Sequence, residues 1–268
     1  MLRSSLSRAL PTRALFSALT RGQPPSQCEV CRQWGTSALC TDCIARYAAP
    51  FPRCHRCGLR LGLDTPACGA CLREPPPFEH TVCVADYGFP WDRLIAHFKF
   101  EDRVELAGVL AGLLADVLAE ELTERLHETL MEGAAPTVSL VLPVPLSARR
   151  LAERGYNQAW EIARRVAARA GLPARADLLL RPWDTAHQAD LGRSERQLNL
   201  RTAFMVDPRQ RAALQGRRVA LVDDVMTTGA TAREAATVLL RAGASSVIVW
   251  VLARTADTPP MADRTTRF

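Results

Sequence analysis

The sequence predicts an α/β protein, a parallel sheet flanked by helices, preceded by a small cysteine ribbon held by metal. Three observations predict it. Apolar runs such as Val-Ala-Leu-Val at residues 219–222 read as strands buried on both faces, the habit of parallel sheets. Helical periodicity follows that run, with Ala232, Ala235, Ala236, Leu239 and Leu240 on one face. Four Cys-x-x-Cys pairs fall between residues 28 and 71, in a stretch too poor in core-forming residues to fold without a staple.

Residues 1–26 are rich in arginine and serine and carry no acid. That profile superficially resembles an organelle transit peptide, while Arg8 and Arg13 interrupt the apolar core that a secretion signal needs. Arginine dominates the whole chain, however: among 34 lysines and arginines, Lys99 is the single lysine. The segment is therefore read as a poorly ordered leader or short surface helix of a cytoplasmic protein. A chain of 268 residues suits one or two domains with a real core. Its net charge of +6 permits phosphate ligands without identifying nucleic acid.

Eight of the nine cysteines form the pairs Cys28/Cys31, Cys40/Cys43, Cys54/Cys57 and Cys68/Cys71. One tight turn presents both thiolates of a pair to the same ion. Two pairs complete the tetrahedral shell of a structural zinc, leaving no open position for catalysis. A disulfide framework would suit a secreted chain, and iron–sulfur ligation uses the same donors; with no secretion signal, two zinc ions are the expectation. Spacing leaves open whether the pairs combine sequentially or interleave, and sequential pairing is expected. Residues 27–74 thus read as a double zinc ribbon. His55 lies inside a knuckle and should face solvent, and Cys83 reads as a small core residue.

Beyond Pro75-Pro-Pro77, residues 80–254 read as the α/β domain. Residues 81–87 form a first strand, and residues 88–103 turn into a helix with Leu94, Ile95 and Phe98 on one face. Lys99 falls near its end, where a compact ammonium has a use that a guanidinium cannot fill. Residues 106–122 are apolar but broken by Asp116, Glu120 and Glu121, so they read as an amphipathic helix and not a membrane span. Residues 138–142 form a second buried strand that leaves through Pro143-Val-Pro145, a rigid exit. Arg149, Arg150 and Arg154 follow, then a helix opened by Gly155-Tyr-Asn-Gln-Ala159 with Ile162, Ala163 and Val166 inward. Residues 181–199 are polar and weakly periodic. They carry His187, Gln188, Arg193 and Arg196 and are expected to close as a lid.

Residues 219–231 carry the chemistry. The strand emerges at Asp223 and Asp224, which can accept hydrogen bonds from vicinal sugar hydroxyls. Thr227-Thr-Gly-Ala-Thr231 then turns backbone N–H groups and hydroxyls toward one anion, and the next helix adds the positive end of its dipole. A diol beside a phosphate is a ribose 5-phosphate. The stretch resembles the phosphoribosyl pyrophosphate (PRPP) motif of type I phosphoribosyltransferases. Ligands of open parallel sheets sit beyond the carboxyl ends of the strands, so the exit after the second strand should share the crevice, its arginines meeting pyrophosphate. The expected ligand set is Asp223, Asp224, Thr227, Thr228, Gly229, Ala230, Thr231, Lys99, Pro143, Val144, Arg149 and Arg154. Asp223, Asp224 and Arg196 are the catalytic candidates.

In chain order, the four cysteine pairs, Tyr87-Gly88, Phe98-Lys99-Phe100, Pro143-Val-Pro145, Arg154-Gly-Tyr-Asn-Gln158, Gln188, Arg196, Asn199 and the 222–231 motif resemble the ComF family. Its members join a double zinc ribbon to a type I phosphoribosyltransferase-like domain, and the likeness covers residues 26–254. Tyr156 stands where phenylalanine is frequent, and the leader and the tail at residues 255–268 match nothing. The resemblance implies a fold similar to the amidophosphoribosyltransferase catalytic domain, with PRPP and Mg²⁺ as ligands. It also implies a role in natural competence, handling incoming single-stranded DNA in the cytoplasm beside other DNA-uptake proteins. Three functions are compatible with it: a DNA-uptake protein that keeps the site for PRPP or a nucleotide phosphate, an active transferase acting on a nitrogen nucleophile, or a PRPP-sensing regulator without chemistry. No segment names an acceptor.

Overall fold

Contacts divide the chain into two compact units, Met1–Ala49 and Pro50–Phe268. The computed structural model describes residues 25–62, 65–129, 137–182 and 203–256. Arg196, with His187, Gln188 and Arg193 of the expected lid, lies outside the described residues, as do most of the leader and tail.

In the first unit, β1 (Ser26–Gln27) and β2 (Trp34–Gly35) pair antiparallel, and α1 (Thr41–Tyr47) follows. Its described interior consists of Cys28, Leu39 and Cys43, too little apolar surface to hold a fold by itself. The second unit opens with α2 (Gly69–Arg73) and β3 (Thr81–Asp86), followed by α3 (Trp91–Phe100) and α4 (Leu106–Thr129). Then come β4 (Leu140–Pro143), α5 (Ala148–Arg154), α6 (Gln158–Ala170), β5 (Leu179–Leu180) and β6 (Met205–Val206). A 3₁₀ turn at Pro208–Leu214 precedes β7 (Arg218–Met226), α7 (Ala230–Arg241) and β8 (Ser246–Arg254).

The main sheet has the order β3-β8-β7-β4, and every neighbouring pair is parallel. Side chains alternate between its faces. Val219, Leu221, Val247, Val249 and Val251 join one cluster with Ala232, Ala235, Ala236 and Leu239 of α7. Their alternates, such as Ala220, Val222 and Ile248, serve the other face, where α4 and α6 contact each other and the strands. Both faces are covered, which is why the strands read as unbroken apolar runs.

Most expected elements fall where periodicity put them. The first helix spans Trp91–Phe100 and buries Leu94, Ile95 and Phe98, and α6 buries Ile162, Ala163 and Val166. α6 begins at Asn157, whose side-chain oxygen accepts from the N–H groups of Ala159 and Trp160 at 3.0 and 3.4 Å. Three features differ from expectation. The second strand starts at Leu140 and runs through Pro143. A separate helix, α5, holds the arginines after it, capped by Ser147, which accepts from the N–H of Arg150. The strand expected to emerge at Asp223 instead continues to Met226, because its ladder with β8 persists through Val225 opposite Ala253 and Met226 opposite Arg254. Among the described residues no helix is long and apolar enough to cross a membrane.

Candidate functional site

The parallel strands deliver their C-terminal ends to one edge. There β7 ends, residues 227–229 turn, and α7 begins with Gly229 as its N-cap at φ +79°. A side chain at this left-handed position would be strained, so glycine permits the sharp entry. Thr228 Oγ1 accepts from the N–H of Ala230 at 3.3 Å, stiffening the turn. Thr227, Thr228, Ala230 and Thr231 are exposed around it. A cleft lies here, lined by Val144, Asp223, Met226, Thr227, Gly229 and Thr231. Val144 reaches it because its N–H extends the β4–β7 ladder to the carbonyl of Val222 at 2.8 Å, while Asn157 Nδ2 donates to its carbonyl at 3.1 Å.

The two carboxylates have different surroundings, as adjacent residues of one strand must. Asp223 lines the cleft. Burial and the neighbouring Asp224 charge push its carboxyl up to about 7, against the opposing pull of the Asp224 N–H, Lys99 and Arg181. Asp224 is buried and meets Lys99, whose Nζ lies 2.7 Å from its Oδ1. The chain's single lysine thus comes from α3 to the strand that carries the motif. The end of α3 is held by Tyr156, whose hydroxyl donates to the carbonyl of Phe98, a tie that phenylalanine would lack. Lys99→Met would leave the Asp224 charge without its ammonium. We expect it to cost about 3 kcal/mol of stability in urea unfolding.

Pro143 ends β4, and the remaining expected ligands, Arg149 and Arg154, are on α5. Arg154 Nη1 donates to Gln158 Oε1 at 3.0 Å, and its guanidinium lies 5.0 Å from the Phe100 ring centre. Arg149 is exposed beside Glu153 at 3.6 Å. The cleft therefore gathers Val144, Asp223, Thr227, Gly229 and Thr231. Lys99 and Asp224 stand as a pair next to it, Arg149 is engaged within its own helix, and Arg154 reaches the start of α6. Two residues of the site stand outside the set expected from sequence. Arg181 exerts charge on Asp223, and buried Arg254 ends β8 and donates to the carbonyl of Thr227. Proximity of Arg181 has no sequence signal. Arg254 could have been suspected as a charge ending the apolar run 247–253.

The cysteines gather sequentially, as Cys28/Cys31/Cys40/Cys43 and Cys54/Cys57/Cys68/Cys71, each set with its sulfurs within 4.8 Å of one another. Cys31 and Cys40 sulfurs are 3.7 Å apart, as are those of Cys57 and Cys68. A tetrahedron with Zn–S near 2.3 Å has edges of about 3.8 Å. Burial disfavours the thiolates of both sets. At Cys28, N–H groups of Cys31, Cys40 and Val30 outweigh it and pull the thiol down to about 6; at Cys54, those of Cys57 and Cys68 pull it to about 7. Burial and crowding raise Cys40, Cys43 and Cys71. Four thiolates together call for a cation, so both donor sets fit a structural divalent ion.

A phosphoribosyl transferase domain family matches residues 184–266. Over 237 residues the chain is 36% identical to DNA utilization protein YhgH of Salmonella typhi, covering 86% of this chain and 98% of that protein. It is 34% identical over 218 residues to competence protein F of Haemophilus influenzae, covering 81% and 91%. The chain belongs to the ComF family. Its ComF-family fold is a parallel-sheet, phosphoribosyltransferase-type α/β domain with two four-cysteine clusters ahead of it in sequence. Among solved structures, the glutamine PRPP amidotransferase of B. subtilis aligns at 19% identity and a TM-score of 0.38, over 58% of this chain and 30% of that one.

Proposed function

We propose that this ComF-family chain binds PRPP, with the Mg²⁺ that PRPP carries, and serves natural competence by handling single-stranded DNA in the cytoplasm. One observation carries the ligand reading: Asp223, Thr227, Gly229 and Thr231 line one cleft at the carboxyl edge of the sheet, where α7 begins. Asp223 would accept from the ribose diol, with Asp224 beside it, and the turn and the start of α7 would receive the 5-phosphate. Zinc in both cysteine clusters would be structural. Calorimetric titration of zinc-loaded protein with Mg²⁺ and PRPP tests this. Micromolar binding supports it, and no heat at millimolar ligand overturns it. Pyrophosphate release on adding ammonia or a nucleobase would make the site that of an active transferase.

The hydroxyls of a diol donate best to the ionised carboxylate. Because the Asp223 carboxyl is raised to about 7, its ionised fraction grows as pH climbs through that value. Affinity for PRPP is therefore expected to rise about tenfold from pH 6 to pH 8. Asp223→Asn should show only the residual slope of the ligand's own phosphates, measured by the same titration.

The DNA reading draws on the names of the relatives, DNA utilization protein and competence protein F. It is supported by exposed rings stacked under guanidinium groups: Phe51 with Arg60 at 3.3 Å, Phe100 with Arg154 at 5.0 Å and Phe89 with Arg93 at 5.5 Å. Aromatic and arginine planes accept unpaired bases without regard to sequence. Binding of a single-stranded oligonucleotide that weakens steeply with salt tests it.

A further inference from the structure

Two arginines tie the phosphate loop to the second cysteine cluster. Arg254, the last residue of β8, is 3% exposed. Its Nε donates to the carbonyl of Cys57 at 3.1 Å, and its Nη1 donates to the carbonyl of Thr227, the first residue of the loop. Nη1 also donates to the carbonyl of Thr255 at 2.6 Å. Past the loop, Arg233 in the first turn of α7 donates from Nη2 to the carbonyl of Glu74 at 3.3 Å. Glu74 ends α2, the helix that carries Cys71. The loop is gripped at its entry by a side chain that also holds Cys57, and beyond its exit by one that holds the helix of Cys71.

The knuckle is in turn seated on the sheet. Thr81 Oγ1 donates to the carbonyl of Arg56 at 2.8 Å, and the Thr81 N–H donates to the carbonyl of His55 at 3.1 Å. Gly58, at φ +69°, lies so close that a Cβ there would come within 3.1 Å of Thr81 Cγ2. Arg53 and Arg60 both reach the Asp86 carboxylate, at 2.6 and 2.8 Å. One face of this knuckle is therefore anchored to β3, and Cys57 hands its carbonyl to Arg254.

The geometry has a consequence for the loop. A peptide unit is planar, so the carbonyl of Thr227 and the N–H of Thr228 turn together. Holding that oxygen sets the direction of a donor at the anion-directed turn. A guanidinium is a rigid planar fork, so it transmits the place of the Cys57 carbonyl to the Thr227 carbonyl. Burial strengthens both bonds. We propose that Arg254 is a positioning residue that couples closure of the Cys54/Cys57/Cys68/Cys71 cluster to the shape of the phosphate loop. Ligand is held only while that cluster is closed. Loss of its metal opens the Cys57 turn and releases the loop. The identity of the ligand rests on the PRPP reading; the coupling does not.

Hydrogen–deuterium exchange of residues 225–232 in the full-length, zinc-loaded protein tests this, read beside zinc content and the melting curve. Arg254→Gln is expected to keep its metal and melt cooperatively. Its loop amides should exchange about tenfold faster, and its Kd for Mg²⁺-PRPP should rise about tenfold. Stripping zinc from the wild type should speed the same amides. In Arg254→Gln stripping should add less than in the wild type, because the tie to the loop's first carbonyl is already cut and only the Arg233 tie remains. Wild-type exchange rates in Arg254→Gln, or full additivity of stripping and substitution, would overturn the coupling. Should Arg254→Gln fail to fold, Arg254→Lys and Arg233→Ala carry the same comparison, each cutting part of the linkage. If the exchange results hold while wild type ignores PRPP, the ligand reading fails and the coupling stands.

Discussion

Replacing Asp223 and Asp224 together by asparagine is expected to weaken Mg²⁺-PRPP binding at least about a hundredfold, because two charge-assisted acceptors are lost and each is worth about a factor of ten or more. Calorimetry on both proteins, at pH 8 and equal zinc content, measures it. A fold change below about ten would remove the diol grip from the account. The single variants should differ in stability with opposite sign. The Asp223 carboxyl is raised in the folded protein, so the fold holds more protons than the unfolded chain between about pH 4 and 7. Stability contributed by this group is lost as pH rises through that window, and Asp223→Asn should escape the loss and melt higher at pH 8. Asp224→Asn removes the partner of Lys99 and should melt lower. A binding residue that destabilises the free fold is the expected signature of a functional carboxylate.

The second large effect concerns the cysteines. Cys54 is fully buried, and its sulfur accepts from the N–H of Cys68 at 3.2 Å. Cys54→Ser removes a thiolate from a shell that leaves no spare donor, and metal binding in such small sites is itself folding energy. Because this knuckle shares hydrogen bonds with β3, β8 and α7, the loss should be felt by the sheet. We expect the melting temperature of the Pro50–Phe268 unit to fall by about 10 °C or more, with loss of one zinc per chain. Scanning calorimetry with metal analysis checks both. An unchanged transition would mean that the knuckle hangs from the sheet without supporting it.

Much of the site was legible because its signals are local. An apolar run, two acids, a Thr/Gly turn and a helical face lie within residues 219–240, and each is set by backbone period or turn chemistry. The helix at Trp91–Phe100 announced itself by the spacing of Leu94, Ile95 and Phe98. Other elements sent weaker signals. α5 is seven residues long with no buried side chain, so periodicity could not reveal it. β5 and β6 have two residues each and exist through their mutual pairing. The run 247–253 was as apolar as any in the chain, yet nothing local said that it would be an inner strand between β3 and β7.

The sequence by itself determined the composition of the site: paired carboxylates after an apolar run, a Thr/Gly turn behind them, and eight cysteines in four knuckles. These follow from neighbours along the chain, whose geometry is limited by a few backbone angles. Only the tertiary structure decided who meets whom. It brought Lys99 from α3 to Asp224, gathered the cysteines sequentially, and set Arg254 between Cys57 and Thr227. Strand order and the burial of charges against carbonyls and carboxylates depend on closing the sheet, and no spacing in the sequence encodes distances that exist only once β3, β8 and β7 lie side by side.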